Sequence, residues 1–255
     1  MNPDSPLISI ITVVRNAENY IENVIKEVSS QTYKYKEHII IDGGSTDGTV
    51  GLIKSNEGKI SYWLSEADTG IYDAMNKGID AARGEWLYFF GADDSFFGHD
   101  TLQLFFESRK FPDNVLMILG NIINANGRLF RSRISKLMYF KNMVHHQGVF
   151  YRRRVFEEFR YGISNAAGGK PGYRISGDYE LNLLLFLRGS KHIYLNETIA
   201  RCGSGISMQG NLAGYMEEMK IRRRYLGSLN SFAFDICTLL RFLFKNISKL
   251  IPVSK

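Results

Sequence analysis

Two adjacent carboxylates, Asp93 and Asp94, follow the apolar run Trp86 to Phe90 and the small pair Gly91-Ala92. The run lies between Gly84 and Gly91 and reads as a strand buried on both faces. Neighbouring residues in extended chain point to opposite sides, so both acids reach one site only if the chain turns there. Hard oxygen ligands on a turn at a strand's carboxyl end suit Mg²⁺ or Mn²⁺ bridging to a phosphate. That edge is also where an open α/β sheet binds its ligands. Asp42, backed by Gly43-Gly44, ends a second apolar run, His38 to Ile41. A carboxylate placed so can accept hydrogen bonds from a base or a ribose while the glycine backbone lets the ligand approach. Asp178 and Glu180 open an apolar helix after Gly177, where the helix N-terminus favours the ionised acid. Each acid also has an ordinary reading as a turn or first-turn residue.

The elements that must position these groups follow from periodicity. Residues 7 to 14 are β-branched and apolar, as in a central parallel strand. Ile21, Val24, Ile25 and Val28 then fall at helical spacing within 17 to 30. A strand at 38 to 41 and a helix at 49 to 56, capped by Ser45, Thr46 or Asp47, complete a β-α-β-α order that implies a parallel sheet. A strand at 60 to 64, a helix at 71 to 82 and the central run at 86 to 90 come next. Beyond lie a helix at 101 to 108, a strand at 115 to 119, a hairpin arm at 127 to 133 and a strand at 144 to 151. Residues 162 to 173, rich in Gly, Ala and Asn, read as a long functional loop.

The chain has 255 residues, 44% of them hydrophobic and 23% charged, enough to bury a sizeable core. Cys202 and Cys237 form neither a disulfide scaffold nor a zinc pattern, which fits a reducing cytosol. The opening residues carry no basic run, so no signal peptide is expected, and no uncharged apolar run is long enough for a transmembrane helix. The net charge of +6 gathers in the second half, at Arg152 to Arg154 and Arg222 to Arg224 among others. Such a surface could face nucleic acid, anionic lipid or a phosphorylated substrate. Without zinc-finger spacing or an RNA-recognition aromatic motif, no nucleic-acid partner is expected.

From Ser231 to Pro252, polar residues recur every three or four positions, at Ser231, Asp235, Thr238, Arg241, Lys245, Ser248 and Lys249, among Phe, Leu, Ile and Ala. This is an amphipathic helix with a basic polar face, as expected for peripheral contact with a membrane interface. The alternative is a helix packed on its own domain or on a second subunit in a homodimer. The preceding arginine triplet would add attraction to anionic lipid.

Three stretches together resemble the family 2 glycosyltransferases. The first runs from Thr12-Val13-Val14-Arg15-Asn16 through Ser29-Ser30-Gln31-Thr32-Tyr33 to Asp42-Gly43-Gly44-Ser45-Thr46-Asp47-Gly48-Thr49. The second is Glu66 to Gly78, and the third Ala82-Arg83-Gly84-Glu85 leading into the Asp-Asp turn. The likeness covers residues 7 to 98 and extends in part over 145 to 189. There His145-His146-Gln147-Gly148 and Gly177-Asp178-Tyr179-Glu180-Leu181 are similar to transferases of bacterial exopolysaccharide synthesis, the colanic-acid type among them.

The resemblance implies a GT-A fold, a three-layer α/β/α arrangement around a mostly parallel mixed sheet, followed here by the amphipathic helix. A donor-binding half (1 to 98), an acceptor-binding half (99 to 228) and a tail (229 to 255) are expected. It further implies a nucleotide-sugar donor with UDP or GDP, a divalent Mg²⁺ or Mn²⁺, and inversion at the anomeric carbon. Donor contacts carry over to Thr12, Val14, Asn16, Asp42, Asp68, Asn76, Gly91, Ala92 and Asp93, metal ligands to Asp93 and Asp94, and the catalytic base to Asp178. Glu180 is a second candidate for the base, His146 and Gln147 border the acceptor, and Arg201 with Ser204 would close over the diphosphate. The family's Asp-x-Asp-Asp is incomplete, because Gly91 replaces the first acid.

The acceptor is expected to be a lipid-linked glycan at the cytoplasmic face of the membrane. The processive synthase motif Gln-x-x-Arg-Trp is absent, which favours one sugar per acceptor. A nucleotidyltransferase would need a glycine-rich first loop, and a nicotinamide dehydrogenase would need Gly-x-Gly-x-x-Gly, which residues 43 to 48 do not supply. A catalytically silent docking subunit is the rival that Gly91 favours.

Overall fold

In the first half of the chain, β1 (Ile8–Val14), α1 (Ile21–Ser29), β2 (Lys36–Asp42), α2 (Thr49–Ser55), β3 (Tyr62–Ser65), α3 (Ile71–Ala81) and β4 (Trp86–Phe89) alternate as the periodicity predicts. The structure is a computed structural model and describes residues 5–162, 173–203 and 212–250, with side chains as far as residue 243. β1 pairs in parallel with β2 and with β4, and β2 in parallel with β3. β1 and β4 are nearly continuous apolar runs because both faces are covered, while β3 is a part-exposed edge strand. Leu87 and Phe89 meet Met75 and Ile79 of α3 on one face. Trp86 and Tyr88 meet Val24 and Val28 of α1 on the other.

The second half adds β5 (Ser95–Phe96), α4 (Thr101–Phe106), β6 (Val115–Ile123), β7 (Leu129–Arg131), β8 (Val149–Arg152), α5 (Val155–Glu158), α6 (Gly177–Leu187), β9 (Lys191–Arg201), α7 (Leu212–Leu226) and α8 (Ser228–Leu250). The described strands form one mixed sheet in the order β3-β2-β1-β4-β8-β6-β9-β5, with β7 paired to β6. β8 runs antiparallel to both β4 and β6, while β9 runs parallel to β6. The strand expected at 144 to 151 starts only at Val149, because residues 146–148 form a 3-10 turn. Neither β9 nor α7 shows in the periodicity. β9 is an exposed, largely polar strand, and α7 buries an arginine among its core residues. Apart from its two ends, the expected loop of 162 to 173 lies outside the described residues.

Several conspicuous residues act as fasteners away from the carboxyl ends of the strands. Glu37 is buried and accepts from Ser9 Oγ at 2.6 Å, Arg83 N at 2.7 Å and Gly84 N at 3.1 Å. Burial pushes its carboxyl up, but the bonds from Ser9 and Arg83 N and the Arg83 guanidinium at 2.9 Å outweigh it, and the carboxyl lies below its ordinary value. Arg152 is buried over the Trp86 ring at 4.5 Å and pairs with Glu85 at 2.7 Å. The Arg83-Gly84-Glu85 stretch therefore locks the amino ends of β1, β2 and β4.

Helix α8 turns its polar stripe inward. Ser231, Asp235 and Thr238 are at most 3% exposed. Arg222 of α7, itself fully buried, donates to Asp235 at 3.1 Å, to Thr238 Oγ1 at 2.7 Å and to the carbonyl of Phe140 at 2.9 Å. Arg224 donates to Glu180 at 3.0 Å. This corrects the expectation that the triplet 222–224 attracts lipid, since Arg222 and Arg224 hold the fold and Arg223 pairs with Asp235 at 2.7 Å. The outward stripe is apolar, with Leu229 90% and Phe232 65% exposed and Ile236, Leu239, Leu240 and Leu243 alongside. No helix among the described residues is long and apolar enough to cross a membrane.

Candidate active site

The carboxyl ends of β1 to β4 lie along one edge of the sheet, because all four strands run the same way. Val14 sits opposite Asp42, and Asp42 opposite Ser65. Asp42 is fully buried and its carboxylate is spent on the loop that follows. It accepts from Ser45 N at 3.0 Å, Ser65 Oγ at 2.7 Å and the Ser45 hydroxyl. Asn16, with φ +52°, accepts from Thr46 N at 2.9 Å, and its own N–H donates to Ser45 Oγ at 2.6 Å. The N-cap of α2 is Gly48 rather than Ser45, Thr46 or Asp47, although Asp47 just before it accepts from Thr49 N at 3.0 Å.

Asp68 completes this edge. Its Oδ1 accepts from Gly70 N at 2.9 Å, and its carboxylate occupies the space that a side chain at position 43 would take. The absence of a Cβ at Gly43 thus lets Asp68 reach the end of β2. Two expected donor contacts are displaced from this edge. Thr12 is buried with its hydroxyl 3.1 Å from His38 Nε2. Asn76 clamps residue 161 by both amide atoms, donating to Tyr161 O at 2.7 Å and accepting from Tyr161 N at 3.0 Å. Val14 packs with Ala17, Ile21 and Ile25, and its carbonyl takes Gly43 N at 2.8 Å.

After β4 the chain turns, as two converging acids require, but the two carboxylates part. Asp94 is buried; it accepts from Gly91 N at 2.9 Å and from Gly203 N at 3.2 Å. Burial pushes its carboxyl up, against the opposing bonds from Gly203 and Gly91. A Cβ at position 91 would come within 2.5 Å of the Asp94 carboxylate. Gly91 is therefore a packing requirement of this turn. Asp94, expected as a metal ligand, takes one backbone hydrogen bond on each carboxylate oxygen, and these bonds fold the turn. Asp93 stays half-buried beside Gly203, and Ala92 packs in part against the α1 side. No cluster of three His, Cys, Asp or Glu ready to hold a metal occurs among the described residues. A Mg²⁺ or Mn²⁺ ion commonly takes one or two carboxylates together with substrate phosphate, and Asp93 meets that lesser demand.

Asp178 stands in the first turn of α6, 5% exposed, and accepts from Asn142 Nδ2 at 2.9 Å. Burial pushes its carboxyl up to about 6 and the charge of Glu218 adds to this, while its backbone and Asn142 hydrogen bonds oppose it. Tyr72, Tyr151 and Tyr161 also face it. A carboxylate titrating near neutrality is suited to general-base work. Glu180 is not. It is buried on the opposite side of the helix turn, held by Arg224 and by the Tyr225 hydroxyl at 2.8 Å.

His146 stacks on Phe89 at 5.0 Å, and burial pushes its imidazole down to about 3, so it is neutral. Gln147 reaches the Asp94 turn and its carbonyl takes the Tyr88 hydroxyl at 3.0 Å, which ties it to the donor edge. Arg201 ends β9 with its guanidinium 4.8 Å over Phe97, two residues before Gly203. Ser204 lies outside the described residues. Sequence reasoning missed Tyr72, Asn142 and Glu217, whose carboxylate accepts from the N–H groups of Arg174, Ile175 and Ser176 just ahead of α6. Tyr72 lies inside the Glu66 to Gly78 stretch, but the other two carry no local signal.

The family model for glycosyl transferase family 2 matches residues 9–180. A PGL/p-HBAD biosynthesis glycosyltransferase of Mycobacterium bovis is 32% identical over 189 residues, covering 71% of this chain and 70% of that protein. The crystal structure of S. aureus TarS 1-349 in complex with UDP-GlcNAc superposes with a TM-score of 0.66 at 18% identity, over 95% of this chain and 73% of that one. The chain spans only 43% of the longer S. aureus TarS structure. The mannosyltransferase PcManGT from Pyrobaculum calidifontis, in complex with GDP-Man and Mn²⁺, gives 0.59 at 16% identity over 91% of this chain and 64% of its own. With the GT-A arrangement of the sheet and the ordered motifs at its carboxyl edge, these likenesses lead to one conclusion: the chain belongs to glycosyl transferase family 2.

Proposed function

We propose that the chain moves one sugar from a UDP- or GDP-sugar to a hydroxyl of a lipid-linked glycan, with inversion, in the synthesis of a bacterial surface polysaccharide. The observation that carries this reading is Asp178, a buried carboxyl in the first turn of α6 that accepts from Asn142 Nδ2 at 2.9 Å; burial pushes it up to about 6. The acceptor hydroxyl attacks the anomeric carbon, a new C–O bond forms, and the bond from that carbon to the diphosphate oxygen breaks. The hydroxyl proton passes to the Asp178 carboxylate, a step in which a positioned base contributes about 10²- to 10⁴-fold. Asp68 and the backbone at Gly43 face the nucleoside, and Asp93 faces the diphosphate. Asp93 together with the donor phosphates would hold Mg²⁺ or Mn²⁺, which supplies stabilisation of the charge on the departing diphosphate.

The outward apolar stripe of α8 supports a peripheral place on the inner face of the membrane, where such an acceptor resides. Calorimetry with UDP-, GDP-, dTDP- and CMP-sugars, with and without Mn²⁺, on the native chain and on Asp93→Ala tests the donor side. One nucleotide should bind with metal dependence and lose it in the variant. Binding equally tight without metal and in Asp93→Ala would remove the metal from the reading. Absence of any nucleotide binding would favour a silent docking subunit.

A further inference from the structure

Helix α6 has no cap of its own. Ser176 stands at the N-cap without a capping bond, its hydroxyl donating instead to Gly214 O at 3.3 Å. A helix start leaves its first N–H groups without intrahelical partners, and here other elements take them. Gly177 N donates to the phenolic oxygen of Tyr72 at 2.8 Å, and Asp178 N reaches the same oxygen at 3.4 Å. The Tyr72 hydroxyl gives its own proton to Ile175 O at 2.9 Å. Just upstream, the Glu217 carboxylate of α7 accepts from Arg174, Ile175 and Ser176 N–H at 2.8 to 3.0 Å. Each amide from 174 to 178 thus has a side-chain acceptor from a distant part of the chain.

The phenol is held there firmly. Its ring stacks on Tyr161 at 5.0 Å and 16°, and a side chain at position 177 would meet the ring at 2.9 Å. Tyr72 belongs to the first turn of α3, four residues beyond Asp68, whose carboxylate lies over Gly43. One short segment therefore carries both the donor-edge acid and the cap of the helix that bears Asp178.

We propose that Tyr72 is a positioning residue, which caps α6 from the donor side and sets the placement of Asp178 for proton abstraction; this rests on Asp178 being the base. The side chain need not touch either substrate. Asp178 is also faced by Asn142, Tyr151, Tyr161 and Glu218, none of which comes from the donor segment.

Tyr72→Phe keeps the ring on Tyr161 and removes only the oxygen. Hydrogen exchange at Gly177 and Asp178 should quicken by about tenfold while the later turns of α6 keep their protection. With the nucleotide sugar that the native chain turns over, kcat should fall about 10- to 100-fold with donor KM nearly unchanged, as misplacement of a catalytic group predicts. Gly177→Ala, which drives a methyl group into the ring, should reproduce both effects with Tyr72 intact. Faster exchange with native kcat would make Tyr72 a structural cap alone and overturn the proposal. So would a parallel loss of donor affinity, which would make it a donor-binding residue. Failure of the transferase reading shows separately, as native turnover in Asp178→Asn or none in the native chain. Exchange in Tyr72→Phe reports on the cap whichever residue is the base.

Discussion

The backbone N–H of Gly91 donates to the carboxylate of Asp94 at 2.9 Å, and that carboxylate fills the space where a side chain at 91 would stand. The missing first acid of the Asp-x-Asp-Asp pattern is thereby explained by packing. One carboxylate has been exchanged for a turn built on another, and Asp93 stays half-buried beside Gly203.

Restoring the family residue should therefore do harm. Gly91→Asp must displace the Asp94 carboxylate, and overpacking of this kind costs about 1 to 3 kcal/mol. Thermal denaturation should show a melting temperature lower by several degrees, and calorimetry no gain in Mn²⁺-dependent donor binding. A variant with native stability and tighter metal dependence would contradict the account.

Asp178 should shape the pH dependence of turnover. Its carboxyl, raised to about 6, must be ionised to accept the proton, so kcat should climb as pH rises through about 6. Asp178→Asn should lower kcat by about 10²-fold or more and abolish that limb. Stability moves the opposite way. A carboxyl whose folded pKa is raised favours the fold at low pH, and the benefit is lost as pH rises from the ordinary carboxylate range through about 6. Urea denaturation should show the native chain losing stability across that window relative to Asp178→Asn. A parallel pH course for the two proteins would argue against a raised carboxyl.

The Arg222–Asp235 pair should be the anchor of α8. Both groups are buried, and breaking such a pair costs up to about 3 to 5 kcal/mol, less here because Glu218 lies 3.9 Å from Arg222 and Arg223 pairs with Asp235. Asp235→Ala should lower the urea midpoint sharply, and joint replacement of Arg222 by Met and Asp235 by Leu should recover part of the loss. Additive losses in a double-mutant cycle would show that the two do not act as a pair.

The outward stripe of α8 can be tested apart from catalysis. Phe232→Ser combined with Leu239→Ser should leave the denaturation curve nearly unchanged, because both side chains are exposed. Cosedimentation with phosphatidylglycerol-containing vesicles should fall markedly. Loss of self-association in place of vesicle binding would assign the stripe to a second copy of the chain.

Much of the first half was open to reading because its signals are local. An apolar run such as Ile8 to Val14, or the spacing of Ile21, Val24, Ile25 and Val28, states its own secondary structure. Polar β9 and arginine-bearing α7 follow no such rule, since what places them is a distant partner, strand β6 for β9 and the polar stripe of α8 for α7. The same difference runs through the site. Asp42 is adjacent in sequence to the loop it orders, but nothing near Glu217 or Asn142 announces their hold on α6.

By itself, the sequence determined the alternation of strands and helices, the acids at the strand ends and the amphipathic character of the tail. These depend on period, residue size and charge within a few positions. Only the tertiary structure decided which acids remain available. It buried Asp42, Asp94, Asp178 and Glu180 among hydrogen-bond partners and left Asp68 and Asp93 partly exposed. It also decided which face of α8 points outward. Arg222 draws the polar stripe of α8 inward, since a buried guanidinium must be paired, and the apolar stripe is left to face outward.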